Sequence, residues 1–106
     1  MSGPEDSSPD GDQSPSDALD VGEVRERIDA LDLQLLTLLD TRAKLALRAG
    51  ELKRSSGKAI HDPERESRVF ERLERALAEV PAAGLPKRSV RPVFREVISA
   101  CLALEQ

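Results

Sequence analysis

Arg42 and Lys53 are eleven residues apart. At ~100° per residue that step is about three full helical turns, so both side chains leave nearly one face of a helix. Their Cα atoms would be ~16 Å apart at ~1.5 Å per residue, and two long side chains could converge on one small dianion. Arg25 precedes Arg42 by seventeen residues, ~25 Å along a helix, and cannot reach the same small ligand from the same chain. It could do so from an antiparallel partner in a two-fold dimer. Asp62, Arg65 and Glu66 follow after a short loop. Four cations and a carboxylate at compatible places suit the binding and orienting of a small anion. Each also has a plainer reading. Lys53 lies near a helix end, where cations are favoured. Asp62 and Glu66 suit helix capping and a dipole interaction.

The element that must carry Arg25, Arg42 and Lys53 is legible in the spacing. Val21, Val24, Ile28, Leu31, Leu35, Leu38, Arg42, Leu45, Ala49 and Leu52 keep an unbroken 3-4-3-4 rhythm, the seam of one long helix. A guanidinium keeps its charge in a protein, and burying it unpaired is costly. Arg42 therefore has an anion to meet, either a partner's carboxylate that fixes register or a ligand. The first helix is predicted from about residue 20 to 54, stopping before Ser55-Ser56-Gly57. A second starts at Asp62-Pro63, with Asp62 as N-cap and Pro63 at the first helical position. Val69, Phe70, Leu73, Ala76, Leu77 and Val80 form its apolar face, and it ends near Pro81. A third follows Ser89 and runs to about Glu105, with Pro92 tolerated in its first turn. Its buried stripe is Val90, Val93, Phe94, Val97, Ile98, Cys101 and Leu102.

Composition bounds the rest. The chain has 106 residues, a net charge of −4, one Cys, one His, two Phe and no Tyr or Trp. Few aromatics argue against β-structure, and abundant Leu, Ala, Glu and Arg favour helix. The acidic balance, without aromatics among the basic residues, does not suggest nucleic acid. Residues 1–19 are rich in Ser, Pro, Asp and Gly and read as a disordered acidic tail, not a signal peptide or membrane anchor. About 86 residues remain, marginal for an independent core. Cys101 cannot pair within the chain, and one Cys with His61 argues against a structural metal site. Self-association of an all-α, three-helix chain is the expected way out, and cytoplasmic location follows from the lack of a signal and of disulfides.

The run VRERIDALDLQLLTLLDTRAKLALRAGELK, then DPERE, then VFREVISACLALEQ resembles the all-helical class of chorismate mutase over residues 20–106. The resemblance implies an intertwined antiparallel homodimer with sites shared between chains, and no cofactor. It implies that Arg42 and the partner's Arg25 bind the two carboxylates of chorismate. Lys53 would bind a carboxylate and the ether oxygen, Arg65 would support the carboxylate end, and Glu66 with the backbone near Asp62 would hold the C4 hydroxyl. The reaction would be the one-substrate pericyclic shift of chorismate to prephenate, in aromatic amino acid biosynthesis. The protein would hold the compact diaxial conformer and place donors at the ether oxygen.

Two positions depart from the family. Many members carry Ser and, four residues later, Gln; here Cys101 and Glu105 stand there. Cys101 on a buried stripe reads as core more readily than as ligand. An ionised Glu105 only accepts hydrogen bonds, so it can help only when protonated, and activity is expected to improve below neutral pH. The alternative turns Glu105 to solvent and leaves the role to Gln106 or water. SACLALEQ also resembles the junction in fused chorismate mutase–prephenate dehydratase proteins, so a stand-alone enzyme or an excised mutase domain is expected. Isochorismate-pyruvate lyase and 4-amino-4-deoxychorismate mutase share the scaffold and its basic residues. A non-catalytic dimerisation or regulatory module is a further alternative, as is dependence on a partner enzyme of the shikimate pathway.

Overall fold

The computed structural model describes residues 19–105. The expected acidic tail, apart from its last residue, and Gln106 lie outside these. The described residues are all-α: α1 spans Val21–Ser56, α2 Pro63–Ala78 and α3 Val90–Glu105, with a 3-10 turn at Lys87–Ser89 before α3. They fall into two compact units, one ending at Thr37 and one beginning at Leu38.

In the first unit, α1 opens with a reciprocal capping box. The Asp20 carboxylate accepts from the Glu23 amide at 2.8 Å, and Glu23 Oε1 accepts from the Asp20 amide at 3.1 Å. Two of the amide groups left without partners at a helix start are thereby satisfied. Ile28, Leu31 and Leu35 on the seam are exposed, as are Leu33 and Leu36 off it.

The second unit begins within α1 and holds α2 and α3. The end of α1 corrects the expected stop. Ser55 and Ser56 remain helical, their hydroxyls donating to the Leu52 carbonyl at 3.0 Å. The chain leaves the helix at Gly57, whose φ of 73° is left-handed. The Lys58 amide donates to the Lys53 carbonyl at 2.9 Å and the Gly57 amide to Arg54 at 3.4 Å. This is a glycine-terminated Schellman motif, so the stop is set by Gly57 and not by the serines. Asp62 caps α2 by accepting from the Arg65 amide at 3.1 Å. α2 ends at Ala78, earlier than expected, so Val80 lies beyond it and is exposed.

α2 packs on α3. Arg91 grips Glu74 through two nitrogens, at 2.8 and 3.0 Å, and lies over the Phe70 ring with Arg95. That hydrogen bond, with added attraction from the Arg91 and Lys87 charges and against a cost of burial, holds the Glu74 carboxyl below the usual carboxylate range. A lowered carboxyl keeps its contribution above the ordinary range and loses it as pH falls through the lowered value. This clasp therefore stays ionised from neutral pH down to pH 5.

Among the described residues, the buried apolar side chains are Val69, Val90 and Cys101. Val93, expected on the buried stripe of α3, is exposed. Leu38, Leu45 and Leu52 continue the exposed seam, Leu38 at 66%. No helix among the described residues is long and apolar enough to cross a membrane.

Candidate active site

Three helix faces in the second unit enclose one cavity of about 440 Å³. Each face repeats the same spacing. α1 offers Arg42, Leu45, Ala46, Ala49 and Lys53; α2 offers Arg65, Glu66, Val69, Arg72 and Leu73; α3 offers Phe94, Ile98, Cys101, Leu102 and Glu105. Steps of three, four and seven keep these side chains on one side of each helix. Asp62 and Ile60 close the end near the α1–α2 loop. The volume lies within the ~300–1,000 Å³ usual for small-molecule sites.

The cavity combines an apolar floor with concentrated charge. Its lining holds four cations (Arg42, Lys53, Arg65, Arg72) against three carboxylates (Asp62, Glu66, Glu105). An excess of one positive charge, in a chain of net charge −4, makes this a local attractor for an anion. Among the described residues Arg42 has no ion-pair partner, and neither does Arg65 or Arg72.

Lys53 is held in place. Its ammonium donates to the Ile60 carbonyl at 3.2 Å and to Glu105 Oε1 at 3.0 Å. A lysine has three N–H donors, so one is left for a ligand from a group already fixed in position. Glu105 is 13% exposed and turned into the cavity, not to solvent. Glu66 Oε2 stands 3.3 Å from His61 Nε2, and the other Glu66 oxygen makes no ion pair among the described residues. Cys101 is buried and also borders the cavity. Among the described residues no group of three or more His, Cys, Asp or Glu could hold a metal ion.

Seven of the eight residues singled out by sequence thus meet at one cavity: Arg42, Lys53, Asp62, Arg65, Glu66, Cys101 and Glu105. Arg25 is on α1 in the first unit and is not part of this lining. Sequence reasoning missed Arg72, the Ile60 carbonyl and Gly50. Arg72 was findable, since it is seven residues after Arg65 and shares its face. A carbonyl acceptor leaves no mark in side-chain type.

An all-helical chain with a cationic cavity between the second half of a long helix and two shorter ones defines the class. The chain belongs to the chorismate mutase type II family, whose model matches residues 24–106. The bifunctional chorismate mutase/prephenate dehydratase of Aquifex aeolicus (strain VF5) is 45% identical over 84 residues, 79% of this chain and 23% of that protein. Its namesake in Neisseria gonorrhoeae (strain ATCC 700825 / FA 1090) is 42% identical over 82 residues, 77% of this chain and 21% of that protein. The chain therefore spans less than a quarter of the length of these two relatives. A solved chorismate mutase (form II) from Thermus thermophilus superposes with a TM-score of 0.72 at 30% identity, covering 80% of this chain and 92% of that one.

Proposed function

We propose that this chain is a chorismate mutase that converts chorismate to prephenate. The observation that carries the reading is the convergence of Arg42, Lys53, Arg65, Glu66 and Glu105 on one cavity of small-molecule size. A one-substrate pericyclic shift asks a protein for orientation and for charge, and this lining is made of both. Arg42 takes a carboxylate. Lys53 donates its remaining N–H to the ether oxygen as the C–O bond breaks and negative charge grows there. Arg65 supports the carboxylate end, and Glu66 with the backbone near Asp62 accepts from the C4 hydroxyl. The apolar walls lower the local dielectric and strengthen these interactions.

The site is completed by a second copy of the chain. Three buried apolar side chains cannot offset the entropy of ordering so many residues. The exposed seam of α1 is the surface an antiparallel partner helix would cover, and that partner's Arg25 would enter as the second carboxylate ligand.

The test is the loss of chorismate absorbance with the purified chain at pH 7.5, beside Arg42→Ala. Truncating one side of a desolvated charge pair costs about 2–5 kcal/mol, so kcat/KM of Arg42→Ala should fall on the order of 10²- to 10³-fold. Preference for isochorismate with pyruvate release, or for 4-amino-4-deoxychorismate, would replace the substrate. No turnover of any of the three by a folded dimer would overturn the enzyme reading.

Glu105 both fixes Lys53 and sets the charge at this end of the cavity. Its carboxylate can only accept hydrogen bonds, whereas an amide in its place can accept from Lys53 and also donate to the ether oxygen. Around it stand Lys53 and Arg54 of α1, with Arg42 further along that helix, and Arg65, Glu66 and Arg72 of α2 across the cavity. Glu105→Gln should therefore keep or raise kcat at pH 7.5. A Glu105→Gln variant that is inactive would remove this reading.

A further inference from the structure

Gly50 sits in a segment of strong helix formers, ALRAGELK, where a glycine weakens the helix relative to alanine. Its place is explained by a close approach. A Cβ at Gly50 would lie 2.7 Å from the Glu105 Cα and 2.8 Å from the Glu105 carbonyl oxygen. These are backbone atoms and cannot swing aside. The last turn of α3 therefore rests directly on the α1 backbone, and Gly50 is buried beneath it.

The next turn of α1 makes two further contacts with the same residue. Lys53 donates to the Glu105 carboxylate, and Arg54 Nη1 donates to the Glu105 carbonyl. That carbonyl is among the last four of α3, which have no partner within their own helix. Gly50, Lys53 and Arg54 are spaced three and four apart, so one face of α1 holds Glu105 by backbone contact, carbonyl and carboxylate together. Helix ends fray, and Glu105 is the last residue of α3.

We propose that Gly50 and Arg54 are positioning residues, docking the last turn of α3 so that Glu105 holds the Lys53 ammonium in place. The role assigned to Glu105 in turnover rests on the mutase reading above; the docking itself does not. Neither residue touches the substrate. Both act by keeping the end of α3 from drifting, and a displacement of ~1 Å at a reacting centre can cost ~10²-fold in rate.

The experiment uses the full chain with Arg54→Ala, Arg54→Lys and Gly50→Ala, each alone and combined with Glu105→Ala. Steady-state kinetics are read alongside amide hydrogen exchange at residues 102–105. Arg54→Ala alters an exposed side chain and should leave the fold intact. It should lower kcat ~10-fold or more through lost positioning, with KM within about twofold, because substrate carboxylate ligands are untouched. Exchange at residues 102–105 should rise. Arg54→Lys, which can still donate to the carbonyl, should recover most of the loss. Gly50→Ala should resemble Arg54→Ala or exceed it. On the Glu105→Ala background neither change should add a further loss, because nothing remains to be positioned. Losses that multiply on that background, or Arg54→Ala with wild-type exchange at residues 102–105, would overturn the proposal. A wild-type chain without turnover would remove the mutase reading alone, leaving the exchange measurement to decide the docking. Should Gly50→Ala not fold, Arg54→Ala carries the test by itself.

Discussion

Lys53→Ala should lose ~10²- to 10³-fold in kcat, the usual cost of removing one preorganised donor from a developing oxyanion. KM should change less, since in the proposed reading Arg42 and Arg65 still hold carboxylates in the ground state. The effect is large for two reasons that act together. The lysine is already fixed by the Ile60 carbonyl and Glu105, so its third N–H needs no reorganisation as charge appears. Its removal also leaves Glu105, 13% exposed, as a carboxylate with its ion-pair partner gone, beside an oxygen that is becoming negative. Adding Glu105→Gln to Lys53→Ala should therefore recover part of the rate, because the amide is neutral and can donate. The kinetics are to be read with circular dichroism, to show that helix content is kept. A Lys53→Ala variant with kcat within about threefold of the parent would be far below the ~10²-fold expected of an oxyanion donor and would end that assignment.

Leu38→Glu should remove the folded dimer proposed above. Leu38 is 66% exposed in the single chain, on a seam shared with Leu31, Leu35 and Leu45. Burying a leucine contributes ~1.5–3 kcal/mol, and in a two-fold dimer one substitution is felt twice. A charge in the same place adds the cost of desolvating a carboxylate with no partner. Against a total stability of ~5–15 kcal/mol, typical of small folded proteins, the change is enough to unfold the chain. Sedimentation should show loss of the dimer, and helix content should fall with it. The parent should melt at a temperature that rises with protein concentration, as a dimer must. A parent chain that sediments as a monomer, with a melting temperature independent of concentration, would contradict the dimer. So would Leu38→Glu with unchanged stability.

Much of the site was legible because helix periodicity is local. Steps of three, four and seven place side chains on one face whatever the helix packs against, so Arg42 and Lys53 could be paired before any fold was known. The same holds for α2, where Asp62 and Pro63 mark the start and Arg65 and Glu66 follow at fixed angles. Glu23 shows a limit in reading even local pattern. Its residue type and place suit a solvated helix face, yet its partnership with Asp20 three residues earlier is a capping box. The end of α1 shows another: serines bonded back to the Leu52 carbonyl stay helical, and only the left-handed residue at Gly57 ends the run.

By itself, then, the sequence determined three helices, the Asp62 cap of α2, the apolar seam and the faces on which the cations stand, because each depends on neighbours within about one turn. Tertiary structure decided what the cations meet. Lys53 and Glu105 are 52 residues apart in the chain, and their contact depends on the path of two loops and on how closely α3 can approach α1. That approach is permitted by the missing side chain at Gly50, whose fit against Glu105 appears only once both backbones are placed.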